Sequence, residues 1–424
     1  MMSNIAEITK TFNSALIADK AVLPEELISK RTASFEQFVK AGFPTKKDED
    51  WQYTAINDFI NINYTFEKAK KHLTLEEESL LKNYLFSDEL HLVFINGTFS
   101  EKWSSSTLLL NDLKIKIDPI HVVTPREFKE RNSFIDLNQA FLKNGFSLVV
   151  SEGVEKPLNI IHFTTSEAQA HLSCPYLSIE ALKSANINIK EFFISSNKNT
   201  YFVNGLTDFY IGENAHISHT LVQLEELNAF HYSQIRSQIK RDGLFQSFTL
   251  NLGAKLSRVN LDIELTESNA STLSYGIYAL HSDSQADVYS QIHHDAPNTN
   301  SEQIYKGILD DKSHGVFSGK VFVKKFASKS ISKQLNKNLL LSKGAFVDSK
   351  PQLLIDNDDV KCNHGTTIGQ INEDEVFYLQ SRGINKAKAS KLIAKAFLND
   401  LILKIPRPTT QEQLMAILKR FNYE

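Results

Sequence analysis

The residue types and spacing best suited to chemistry lie near the C-terminal end of the chain. One of only two cysteines, Cys362, stands two positions before His364 in the stretch 350–369. On an extended strand, residues i and i+2 point to the same face, so a thiol and an imidazole would sit side by side. A thiolate is a sulfur nucleophile and a soft metal ligand, and neutral imidazole binds transition metals. Asp356, Asp358 and Asp359 flank the pair, and Gly365 and Gly369 punctuate the chain after it. The apolar run Leu353-Leu354-Ile355 just before it predicts that the pair sits on a structural strand. Two ligands fall short of the four that a closed zinc or cluster site needs. Any metal would therefore need ligands from elsewhere in the fold or from another subunit. Spacing alone leaves open the plainer arrangement, a buried thiol beside a hydrogen-bonded histidine.

Other candidates are weaker. His293 and His294 are adjacent, so on a strand they face opposite ways and do not share one ion. Surface or core-edge positions suit them better. His162, His216, His219 and His281 have no ligand-like company in the sequence. Cys174, before Pro175, reads as a small packed residue. Gly315-Val-Phe-Ser-Gly319-Lys320 resembles a phosphate loop only superficially. Three residues separate its glycines where four are needed, and Val321 stands where a magnesium-binding hydroxyl belongs. No dinucleotide fingerprint is present, so ATP hydrolysis by this chain is not expected.

The elements that must position the pair follow from pattern and composition. At 424 residues the chain is long enough for two or three domains. A net charge of −3, from 47 basic and 50 acidic residues, offers no electrostatic case for nucleic acid. No apolar run approaches a membrane span, and the N-terminus lacks the pattern of a secretory signal. Two cysteines make no disulfide framework, which suits a reducing cytoplasm. Residues 5–17 and Glu25–Ala41 carry helical apolar stripes, the second opened by Pro24 and stopped by Gly42. The charged run 46–50 reads as a solvated loop. From about residue 92, and most clearly from 158 to 368, short β-like runs alternate with Gly, Asn, Asp and Ser clusters. A turn followed by a small and then an apolar residue recurs about every thirty residues, as in Gly212-Glu-Asn-Ala-His-Ile217. This predicts a β-solenoid, with three short strands per coil, in preference to a sandwich. Residues 386–403 return to helix. A last helix begins at Thr409, with Glu412 at capping-box spacing. These helices pack on the end of the β domain, dock another chain, or do both.

The region from His294 to Ile384 resembles the SufB/SufD family of iron–sulfur cluster assembly proteins. The resemblance rests on His294-Asp-Ala-Pro-Asn-Thr299, Lys306-Gly-Ile-Leu309, Gly315-Val-Phe-Ser-Gly-Lys320 and Gln334-Leu-Asn-Lys-Asn-Leu-Leu-Leu-Ser342. Lys350-Pro-Gln352, Asp358-Asp-Val-Lys-Cys-Asn-His-Gly365 and Phe377-Tyr-Leu-Gln-Ser-Arg-Gly-Ile384 complete it. Gly42-Phe-Pro-Thr-Lys-Lys-Asp-Glu-Asp-Trp51 resembles the family's N-terminal motif. Gly365, where the B subunit typically has an acidic residue, points to the D-type subunit, as does the chain's length. Asn363 stands where Ser or Thr is more usual.

The resemblance implies a right-handed parallel β-helix over 91–380, between an N-terminal helical region 1–90 and a C-terminal helical region 381–424. It implies a non-enzymatic, cytoplasmic scaffold that pairs with a SufB-like subunit and docks a SufC-like ABC ATPase through its C-terminal helices, with a homodimer possible when the chain is alone. No nucleic acid or membrane partner is implied. Cys362 and His364 would lie at the subunit interface, as a half-site for a transient iron–sulfur cluster that the chain alone does not hold tightly. Asp358 or Asp359 would orient the histidine, and nearby cations would favour the thiolate. The alternatives are a SufB-like subunit that receives sulfur directly and, remotely, a β-helix enzyme acting on polysaccharides. The latter needs clustered carboxylates in a groove. A self-contained metalloprotein has too few cysteines to favour it.

Overall fold

A computed structural model describes the chain except for residues 1, 22, 66–71, 120–127, 130, 144, 166–169 and 421–424. From Asn186 onward the backbone alternates between two sheets. One contains Asn186–Ser195, His216–Leu224, Leu244–Asn251, Ser271–Leu280, Asn300–Leu309, Ile331–Leu340 and Lys361–Gln370. The other contains Tyr201–Ile211, Ala229–Ile239, Leu256–Leu265, Gln285–His294, His314–Val323 and Phe346–Ile355. Each strand pairs in parallel with the strand one coil earlier. The result is a β-solenoid with two long strands per coil, not the three short ones expected from the sequence.

The corners explain that difference. Ser184, Asn214, Asp242, Asn269, Asn298 and Lys329 all have left-handed φ, about thirty residues apart and so once per coil. Asn and Asp tolerate that conformation better than most residues. The chain can therefore reverse within a few residues and needs no third strand. Ala185, Ala215 and Ala270 follow three of these corners and are fully buried. The recurrent small residue in the sequence is thus a corner plug. At the N-terminal end, Asn96 and Gly97, both at positive φ, join Leu90–Ile95 to Thr98–Phe99 as a hairpin.

Inward side chains such as Ile217, Phe245, Val259, Val288 and Phe317 fill the space between the sheets. The outer faces are covered as well, so the strands read as apolar runs without clean alternation. Helices Met2–Asp19, Glu25–Ala41 and Ser133–Ala140 bring Phe12, Phe35, Phe38 and Phe134 against Phe202, Phe230 and Tyr232. Helices Lys386–Ile402 and Pro408–Arg420 lay Leu398, Leu401, Leu414 and Ile417 on Phe248, Leu250, Ile277 and Ile304. They therefore pack on a sheet face, not on the solenoid's end. Pro408 opens the final helix and Thr409 lies within it, so the expected capping box does not form. Nor is 46–50 simply a solvated loop, because Asp50 bonds Lys320 at 2.6 Å and Glu49 bonds Lys350 at 2.7 Å. Among the described residues, no helix is long and apolar enough to cross a membrane.

The solenoid is open at its last coil. Phe346–Ile355 and Lys361–Gln370 are terminal strands of their sheets, and their outer edges have no neighbouring strand among the described residues. Pro351, which lacks a backbone donor, sits on one of these edge strands, where proline is tolerated. Phe346, Leu354 and Ile368 are exposed there.

Candidate functional site

Cys362 and His364 both lie on the edge strand Lys361–Gln370. The run 353–355 ends the preceding strand in the opposite sheet, so it frames the site without sharing its strand. Cys362 packs against the interior cluster. Two positions past His364, Thr366 bonds Ser349, which in turn bonds the interior Asn336. Strand alternation therefore puts Cys362, His364 and Thr366 on the inner face, with Cys362 and His364 about 7 Å apart along the strand. Among the described residues no further strand covers them. Cys362 is half-buried and His364 is exposed.

Burial pushes the Cys362 thiol above its ordinary range, only partly offset by a hydrogen bond with the Ser332 backbone. No neighbouring cation is among the causes, so the expected cationic stabilisation of a thiolate is not in place among the described residues. Asp358 and Asp359 belong to the turn before the strand, and neither side chain bonds His364. The expected carboxylate orienter is thus not in place. Among the described residues no three His, Cys, Asp or Glu side chains form a metal-binding group. The other thiol, Cys174, is buried in the N-terminal cluster, and both cysteines are free.

Two inward polar rows lead to the pair. In register, Thr272, Ser301, Ser332 and Cys362 are neighbours, as are Ser274, Gln303, Gln334 and His364. In the first row Ser301 Oγ donates to Ser332 Oγ at 2.9 Å, and His294 Nε2 lies 2.9 Å from Ser301. In the second, Gln334 Nε2 donates to Gln303 Oε1 at 2.7 Å, and Gln303 Nε2 donates to Ser290 at 2.5 Å. His294 is fully buried, and desolvation lowers it to about 4. It is not a surface residue. His293 does face the opposite way, stacked on Phe322.

A deeper cluster escaped sequence reasoning. His162 Nε2 lies 3.0 Å from Glu191 Oε1, and His219 Nε2 lies 3.1 Å from Glu191 Oε2, all inside the solenoid. Burial alone would raise the Glu191 carboxyl, but both imidazoles outweigh it and hold the group at about 2. His162 and His219 therefore share a buried carboxylate, although the three side chains make no metal-binding group. Their partner lies one coil away in sequence, and the thirty-residue recurrence was the signal that could have found it.

Comparison with known proteins adds an independent line. Residues 162–397 match the family model described as "SUF system FeS cluster assembly, SufBD core domain", and residues 4–116 match "SufBD protein N-terminal region". An iron–sulfur cluster assembly SufBD family protein of Synechocystis is 30% identical over 92% of this chain and 89% of its own length. The iron–sulfur cluster assembly protein SufD of Escherichia coli is 28% identical over 90% of each chain. Protein ABCI7, chloroplastic, of Arabidopsis thaliana is 28% identical over 96% of this chain and 89% of its own length. With the solenoid between helical ends and the Cys-Asn-His-Gly strand, these matches place the chain in the SufB/SufD family of iron–sulfur cluster assembly proteins, where it is SufD-like.

Proposed function

We propose that this chain is a non-enzymatic scaffold subunit whose open solenoid end pairs with a SufB-like subunit, and that Cys362 and His364 are its half of a site where a cluster is built as cargo. One observation carries the reading. The only half-exposed thiol and its neighbouring imidazole share the inner face of a strand whose outer edge is free. A free edge of this kind takes up another strand readily. A partner with the same two-sheet architecture would extend both sheets and close the open end over the pair. It would also supply the missing ligands and the positive charge needed to deprotonate Cys362. His364, exposed and unbonded, is available as the second ligand from this chain.

The same reading assigns docking of a SufC-like ABC ATPase to the C-terminal helices and places the chain in the cytoplasm. Lys395, Asn399 and Met415 line a groove between the last two helices. Lys306, on the strand two before that of Cys362, bonds Asp400 and the Phe397 carbonyl. A movement of those helices would therefore reach the terminal coil through two strands.

Co-expression of the tagged chain with a SufB-like and a SufC-like protein tests the reading. A complex containing all three is expected, and the chain without partners forms at most a homodimer through the same end. Recovery of the chain alone from the co-expressing cell would overturn it.

A further inference from the structure

Gln334 is fully buried and is the register neighbour of His364. Its amide nitrogen is committed to Gln303 on the strand behind it. Its Oε1 is buried with no partner. In a primary amide one N–H points nearly opposite to the carbonyl. With the nitrogen committed to the strand behind, the next strand on the other side, at the ordinary spacing of about 4.8 Å, carries His364 in register. A buried carbonyl without a donor is costly. An imidazole N–H is the nearest donor that the inner face of that strand offers in register.

Gly319 supports the same assignment. A Cβ at that position would lie 2.1 Å from Gln334 Nε2. The glycine of the motif that resembles a phosphate loop therefore makes room for this amide. Gln303 continues the row and donates to Ser290 of the opposite sheet, which holds the amides in one sense.

We propose that Gln334 is the positioning residue for His364: the exposed ring, which makes no hydrogen bond among the described residues, turns to give one imidazole N–H to Gln334 Oε1, which fixes the ring and leaves the other nitrogen's lone pair facing the open end. This deepens the function proposed above and rests on that reading only for its consequence in the complex. A ligating histidine whose second nitrogen is held by a carbonyl or carboxylate is oriented and made more basic, and loss of the holder typically costs 10–100-fold in metal affinity. Here the holder is a neutral amide fed by a ladder, not an aspartate of the adjoining turn.

The test begins with the isolated chain, which needs no cluster. An imidazole N–H on an exposed histidine normally exchanges too fast to be seen. In ¹⁵N-histidine-labelled protein, one protected imidazole N–H is expected that disappears in His364→Ala and in Gln334→Ala. If Gln334→Ala fails to fold, Gly319→Ala, which pushes the amide aside, must abolish the same resonance. Absence of the resonance in the natural chain, or its persistence in both variants, overturns the proposal. In the co-expressed complex, Gln334→Ala is expected to lower iron retention 10–100-fold with unchanged subunit pairing. Unchanged iron retention would overturn the positioning role. A natural complex that never holds iron would instead contradict the proposed function, leaving the spectroscopic result to stand by itself.

Discussion

Cys362 in the isolated chain is a protonated thiol, because half-burial raises its pKa more than the Ser332 backbone lowers it. Cys174 is buried, so native alkylation reports on Cys362 alone. Its rate is expected to keep rising past the ordinary thiol pKa of about 8.5. A plateau reached below that pH would show an activated thiolate and remove the need for a partner's charge. Glu191 behaves in the opposite sense. Its folded pKa is depressed to about 2, so its stabilising contribution is present above the unfolded carboxylate pKa of about 4.3 and fades as pH falls towards 2. Urea midpoints measured from pH 7 to 3 should fall in the natural chain, and Glu191→Gln should lack that component. Glu191→Ala leaves two imidazoles buried without their carboxylate and should cost about 3–5 kcal/mol. The shared face of Cys362 and His364 was legible because i and i+2 spacing fixes it on any strand. Glu191 was not, since its partners are brought to it only by the coil.

Strands and corners were largely readable, because left-handed Asn, Asp and Ser positions recur once per coil. The number of strands per coil was not, since the sequence marks where a corner falls but not how sharply it reverses. The position of the C-terminal helices was also hidden. Their apolar stripes require a neighbour, and only the structure shows that the neighbour is the sheet face containing Phe248, Leu250 and Ile277. Removing 386–424 would strip that face and confuse docking with stability. Surface changes separate the two. Leu392→Asp with Lys395→Glu alters the outside of the helix Lys386–Ile402. It should weaken capture of the ATPase at least tenfold, about 1.4 kcal/mol, while the melting midpoint moves by only a few degrees. Undiminished capture would make these helices purely structural.

For the whole molecule, the Cys362–His364 strand lies at the C-terminal end of the solenoid, where each sheet stops at an edge strand. Helices cover both sheet faces, whereas the last coil leaves two strand edges and the Cys362–His364 face open. Under the proposed function, a monomer built this way holds half of a site. The resemblance of the motifs between His294 and Ile384 implies that role, and the fold adds which strand and which face carry the pair. The most direct test is iron and acid-labile sulfide content of the complex formed with SufB-like and SufC-like partners, compared among the natural chain, Cys362→Ser and His364→Ala. The account predicts clusters on the natural complex, none on the lone chain, and a marked loss in His364→Ala with the subunits still paired. Equal cluster content in both variant complexes would contradict it.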